Sequence, residues 1–161
     1  MEGILSQGSG IGDRGSGIGD RGSGVPLQLE WGEMPAASLQ VLSTLDELDA
    51  AITHSADRPV VIFKHSSTCG TSAQAHESIV ELLAETAVGA EWYVVLVQAS
   101  RQVSNAIAER FGVRHESPQV LIIDAGRVVW HASHFRVTGA ALQAALERLS
   151  TATSAPESAS R

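Results

Sequence analysis

Between residues 44 and 149 the chain alternates short unbroken apolar runs with apolar residues spaced three and four apart. Val60-Val61-Ile62-Phe63, Trp92 to Val97 and Val120-Leu121-Ile122-Ile123 read as strands buried on both faces. Leu45, Leu48 and Ile52 form a helical stripe that ends near His54, and Thr44-Leu45-Asp46-Glu47 before it is a capping box. A second helix is expected over about 70–87, with Ile79, Leu82 and Leu83 on its inner face. Val103, Ile107 and Phe111 mark a third that stops at Gly112. Val128-Val129-Trp130 reads as a further strand, joined to Val120–Ile123 by the hairpin signal Asp124-Ala125-Gly126-Arg127. Leu142, Leu146 and Leu149 mark the last helix, and the segment from Ser150 on reads as a disordered tail. Strands separated by helices pair in parallel through right-handed crossovers. The closing hairpin must add an antiparallel part. The expectation is one α/β domain over residues 38–149, with a central mixed sheet of about four strands flanked by helices.

Upstream the grammar changes. Nine of the 15 glycines fall in residues 1–24. Gly8-Ser9-Gly10-Ile11-Gly12-Asp13-Arg14 repeats as Gly15 to Arg21, and a third copy begins at Gly22. One large apolar residue per copy and so much glycine exclude a coiled coil, so residues 1–37 read as a disordered Gly-rich tail and linker. Gly10 to Gly15 and Gly17 to Gly22 both match the dinucleotide fingerprint. That fingerprint needs a strand before it and a helix after it, and here more glycine lies on both sides, so nucleotide binding is rejected.

With 11 basic residues against 18 acidic ones, nothing resembles a basic stripe, and nucleic-acid binding is not expected. Runs such as Val94–Val97 are too short to cross a membrane. Met1-Glu2-Gly3-Ile4-Leu5 lacks the regions of a signal peptide. The expected setting is cytoplasmic.

The single cysteine excludes an internal disulfide and a zinc cage of several thiolates. Cys69 follows the first apolar run, in the turn Lys64-His65-Ser66-Ser67-Thr68-Cys69, and opens the second helix. A thiol there faces unpaired backbone N–H groups and the positive end of the helix dipole. Both favour the thiolate, the attacking species in thiol–disulfide exchange. Ser72 stands where a two-cysteine redox motif holds its resolving thiol. It can donate a hydrogen bond to the sulfur but cannot close a disulfide, so an outside thiol must release any mixed disulfide on Cys69.

Other candidates surround this turn. Ser117-Pro118 precedes a strand, where proline is compatible with either isomer. In the thioredoxin layout this is where a cis-proline faces the cysteine, leaving the Ser117 backbone able to pair with an extended peptide. His131 and His134 are expected to follow the last strand; as a pair they make no metal site. His134 and His65 are candidates to steady the thiolate or a bound carboxylate. His76 shares the face of Cys69 and Ser72 only loosely, and His54 and His115 read as surface residues. Lys64, the only lysine, reads as either a carboxylate ligand or a solubilising surface charge.

Phe63-Lys64-His65-Ser66 with Thr68-Cys69, the stretch from Ala108 to Gln119, and Val129-Trp130-His131-Ala132-Ser133-His134 resemble the monothiol bacilliredoxin (YtxJ-like) family over about residues 38–149. The resemblance implies a thioredoxin-like fold and Cys69 as the reactive cysteine. It also implies removal of the low-molecular-weight thiol bacillithiol from mixed disulfides on protein cysteines. Bacillithiol is then a co-substrate, with no tightly bound cofactor, and S-bacillithiolated proteins are the partners. Where the family typically has proline after the cysteine, this chain has Gly70, which loosens the turn. Cys69-Gly70-Thr71-Ser72 also resembles the turn of monothiol glutaredoxins, which carry [2Fe–2S] clusters. On that alternative a cluster would need a dimer and two external thiols. A third reading is a thioredoxin-fold binding module with an idle cysteine.

Overall fold

In the computed structural model, residues 38–85 and 89–153 are described. The expected Gly-rich tail and linker, and the end of the chain beyond Thr153, lie outside the described residues.

The elements run β1 (Gln40–Val41), α1 (Leu45–His54), β2 (Val60–His65), α2 (Gly70–Glu85), β3 (Glu91–Leu96), α3 (Arg101–Phe111), β4 (Gln119–Asp124), β5 (Arg127–Ser133), a 3-10 turn (His134–Arg136) and α4 (Gly139–Thr153). They form a five-stranded sheet in the order β1-β3-β2-β4-β5. β1 and β2 pair in parallel with β3, and β4 pairs antiparallel with β2 and β5. The mixed sheet is as expected. Its fifth strand, β1, is two residues long, too short to leave a periodic signal. α4 runs to Thr153, past the expected boundary at Leu149, with the Ser150 and Thr151 hydroxyls donating back to the Glu147 and Arg148 carbonyls.

β2 is central and buried along its whole length. Strand periodicity therefore sends its side chains alternately to two cores. Val61 and Phe63 join Ile79, Leu82, Leu83, Leu142 and Leu146 under α2 and α4. Val60 and Ile62 join Leu48, Val103 and Ile107 under α1 and α3. α4 approaches α2 closely at Gly139, whose N–H donates to Ser78 Oγ at 2.7 Å. A Cβ there would lie 2.7 Å from the Ser78 carbonyl oxygen, so the contact needs glycine.

Local signals explain the boundaries. The capping box of α1 is formed, Thr44 accepting from Glu47 N–H at 3.2 Å and Glu47 from Thr44 N–H at 3.1 Å. Gly112 ends α3 in the left-handed region at φ 62. Ala125 and Gly126 turn the β4–β5 hairpin at φ 47 and 75, the two positive values of a type I′ turn.

Candidate active site

Strand direction brings three distant segments to one edge of the sheet. β2 and β3 are parallel, so the loops leaving both depart from the same edge. β4 is antiparallel to β2 with Gln119 opposite Lys64, so the loop entering β4 arrives there. Ser133 lies opposite Gln119, so β5 ends there as well.

Cys69 immediately precedes α2 and is a free thiol of intermediate exposure. Its carbonyl accepts the first helical hydrogen bonds, from Ser72 N–H at 3.0 Å and Ala73 N–H at 3.2 Å. The Ser72 N–H is the main group holding the thiol below its ordinary pKa. The Thr71 N–H and the Thr71 and Ser72 hydroxyls add to it, and desolvation opposes them. No carboxylate occupies the first turn of α2, so nothing there offsets the positive end of the helix.

Ser72 does more than face the sulfur. It is fully buried, accepts a hydrogen bond from Ser66 N–H at 3.2 Å, and lies 3.4 Å from the Ser117 hydroxyl. Ser117–Pro118 is a cis peptide bond. Pro118 is buried, and its carbonyl accepts from His134 N–H at 2.8 Å.

Thr68 is exposed on the cysteine turn, where the side chain of Gln98 braces it. Gln98 Nε2 donates to Ser66 Oγ at 2.7 Å and Thr68 Oγ1 at 3.2 Å. Its Oε1 accepts from Ser67 N–H at 3.4 Å. Sequence reasoning missed Gln98. The available signal was its place just after β3, at the same edge as the turn after a parallel neighbour.

The histidines divide by position. His134 has φ 55; its ring is exposed and its Nε2 lies 3.7 Å from Glu116 Oε1. It contributes its backbone to the proline loop and its ring to Glu116. Glu116 is held below the usual carboxylate range chiefly by the Ser133 hydroxyl. His65 is the last residue of β2 and is buried on the α2 face, 5.5 Å from the Phe63 ring and 5.7 Å from His76. Burial pushes its pKa down against a hydrogen bond with the Ser72 backbone, and its ring belongs to a cluster with Phe63 and His76. His76 completes that cluster, its pKa also lowered by burial. His131 lies within β5 and is exposed, whereas it was expected after the strand. Among the described residues no group of three metal-ligating side chains is gathered.

Lys64 corrects the expectation of a surface charge. It is fully buried, and its Nζ donates to the Ser104 carbonyl at 3.2 Å. Burial pushes its pKa down to about 8.

Comparison with known proteins agrees with this arrangement. A solved thioredoxin-fold protein, described as a candidate oxidoreductase, is 32% identical with a TM-score of 0.61, over 66% of this chain and 92% of that one. The thioredoxin of Malassezia sympodialis is 21% identical with a TM-score of 0.58, over 73% of this chain and 95% of that one. The thioredoxin of Trypanosoma brucei brucei is 14% identical with a TM-score of 0.59, over 74% of this chain and 98% of that one. These two share the fold. The family description that matches, monothiol bacilliredoxin BrxC, covers residues 40–142. With its one thiol at the start of α2 and a cis-proline loop beside it, the chain belongs to the monothiol bacilliredoxin family of thioredoxin-fold thiol redox proteins.

Proposed function

We propose that the protein removes bacillithiol from mixed disulfides on protein cysteines, with Cys69 as the nucleophile. The observation that carries this reading is a lone activated thiol with Ser72 where a second thiol would stand. Cys69 thiolate attacks the bacillithiol sulfur of the modified protein. The disulfide of that protein breaks, its cysteine leaves as a thiolate and takes a proton from solvent, and Cys69 becomes disulfide-linked to bacillithiol. The thiolate of a second bacillithiol attacks the bacillithiol sulfur of this adduct, re-forming Cys69 thiolate and releasing oxidised bacillithiol. A low thiol pKa favours both steps, because it populates the attacking thiolate and makes Cys69 a good leaving group.

The other residues serve binding. Thr68 and Ser117 line the approach to the sulfur, and beside cis-Pro118 the Ser117 backbone is offered to an extended segment of the target. His65 packs with Phe63 and His76 behind the cysteine turn, and His134 holds the Pro118 carbonyl through its backbone N–H. Exchange drawn from a pool of small thiols fits a reducing interior such as the cytoplasm.

Incubation of the reduced protein with a bacillithiolated substrate, followed by intact-mass measurement of both, tests this. The adduct should move to Cys69, and Cys69→Ser should abolish the transfer. Undiminished transfer by Cys69→Ser overturns the reading. A visible iron–sulfur absorbance after anaerobic purification would favour cluster carriage by the Cys69-Gly70-Thr71-Ser72 turn instead. An unperturbed thiol pKa would favour an idle cysteine.

A further inference from the structure

Lys64 is the one charged side chain buried in the central strand that the exchange chemistry leaves unused. β2 alternation puts it on the α3 face of the sheet, opposite the face of His65. There it meets polar groups that lead to the cis-proline loop. Lys64 Nζ donates to the Ser104 carbonyl at 3.2 Å. The hydroxyl of Ser104, itself fully buried, lies 3.1 Å from His115 Nδ1. His115 stands in the loop between α3 and Ser117-Pro118. A second tie comes from Gln119, the register partner of Lys64 on the same sheet face, whose Nε2 donates to the Arg114 carbonyl at 2.9 Å. Its Oε1 is buried with no hydrogen-bond partner among the described residues.

We propose that Lys64 is a positioning residue for the cis-proline loop: its buried ammonium, anchored on the Ser104 carbonyl, holds His115 through Ser104 and so fixes Ser117 where a target backbone must pair. The role of Ser117 rests on the exchange function proposed above.

The charges around the network are consistent with this. On β3 the neighbour of Lys64 is Val95 and on β4 it is Gln119, both uncharged. No acidic group pairs with Lys64 among the described residues. The pKa of His115, which is exposed at the surface, is lowered first by partial burial and then by the charges of Lys64 and Arg101, with Glu116 opposing. A neutral ring leaves His115 Nδ1 able to accept from the Ser104 hydroxyl while Lys64 is charged. Burial holds the Lys64 pKa down to about 8, so in a mildly alkaline range the bond to the Ser104 carbonyl loses its charge while an N–H donor remains.

Amide hydrogen exchange of the full-length protein tests the idea without relying on activity. After correction for intrinsic rates, protection of the amides of residues 113–117 should fall between pH 7 and pH 9.5 by about fivefold, the scale of the difference between a charge-assisted and a neutral hydrogen bond. The β3 amides should not follow. Lys64→Met, which has no donor at all, should show at least that loss at pH 7 and no further pH dependence. For a mixed-disulfide peptide it should raise KM while kcat and the iodoacetamide reactivity of Cys69 stay unchanged. Ser104→Ala keeps the carbonyl that Lys64 grips but cuts the hydroxyl link to His115, so it should blunt the pH dependence at His115 and its neighbours, and it serves if Lys64→Met does not fold. Wild-type loop protection that stays flat with pH, or falls in step with β3, overturns the proposal. A wild type inert toward the peptide overturns the exchange function alone, because the loop measurement stands apart from it.

Discussion

Ser72 and Ser117 face each other with hydroxyl oxygens 3.4 Å apart, one on the helix of the thiol and the other at the cis-proline. Ser72 also receives the Ser66 N–H, so one buried hydroxyl touches both sides of the site and the turn between them. Ser72→Ala should raise the Cys69 pKa only part of the way to its ordinary value, because the backbone N–H groups of Ser72 and Thr71 remain. It should also cost about 1–2 kcal/mol by orphaning the Ser66 N–H. The pH profile of Cys69 alkylation and a urea unfolding curve read the two effects separately.

Gly70 is the first residue of α2, and a Cβ there would meet nothing within 4 Å. Proline suits that helical position. Gly70→Pro should stabilise the fold by about 0.4–1 kcal/mol, mainly by restricting the unfolded chain. The donors that lower the thiol pKa belong to Thr71 and Ser72. The melting temperature should therefore rise with the alkylation profile unmoved.

Gln98 braces Ser66, Ser67 and Thr68 but makes no hydrogen bond to the sulfur. Gln98→Ala should cost about 1 kcal/mol and increase amide exchange in the cysteine turn. The thiol pKa should stay in place. A pKa that rises with the loss of Gln98 would show that the turn, and not the helix start, tunes the sulfur.

Lys64 makes stability depend on pH in a defined direction. Burial lowers its pKa from 10.5 to about 8. Below about pH 8 both folded and unfolded chains carry the ammonium, and the folded state bears the cost of burying it. Between about 8 and 10.5 the unfolded chain binds the extra proton, so the contribution of this residue to stability rises with pH. The stability of Lys64→Met relative to wild type should therefore be greater at pH 7 than at pH 10.5, by up to about 3 kcal/mol, offset at every pH by the hydrogen bond lost at the Ser104 carbonyl. The gap should narrow toward pH 10.5. Urea midpoints at pH 7 and 9.5 measure it.

Much of this was legible in advance where periodicity and capping speak locally. The capping box at Thr44, the stop at Gly112 and the turn at Ala125-Gly126 each follow from short-range chemistry. Cys69 was legible because a strand-to-helix turn defines its field without tertiary knowledge. The site's supports were not, because they depend on strand direction. Gln98 reaches the cysteine turn only because β3 lies parallel to β2. Lys64 and His65 read as turn residues after Phe63, yet β2 continues through both and buries them on opposite faces. His134 was rightly brought to the cysteine edge, but the positive φ that turns its ring toward Glu116 has no signature in a non-glycine residue.

The β4–β5 hairpin is pinned at both ends. At its turn, Ala125 N–H donates to the Ser55 carbonyl at 2.7 Å and Gly126 N–H to Ser55 Oγ at 2.9 Å. At its open end, Pro118 and His134 are joined by a backbone hydrogen bond. A ladder fixed at both ends has no room to slide, and a slip of one residue would exchange its inner and outer faces. The gap between the two halves of the site is therefore set in whole steps of a strand, as a ratchet tooth is set, and survives small rearrangements elsewhere unchanged.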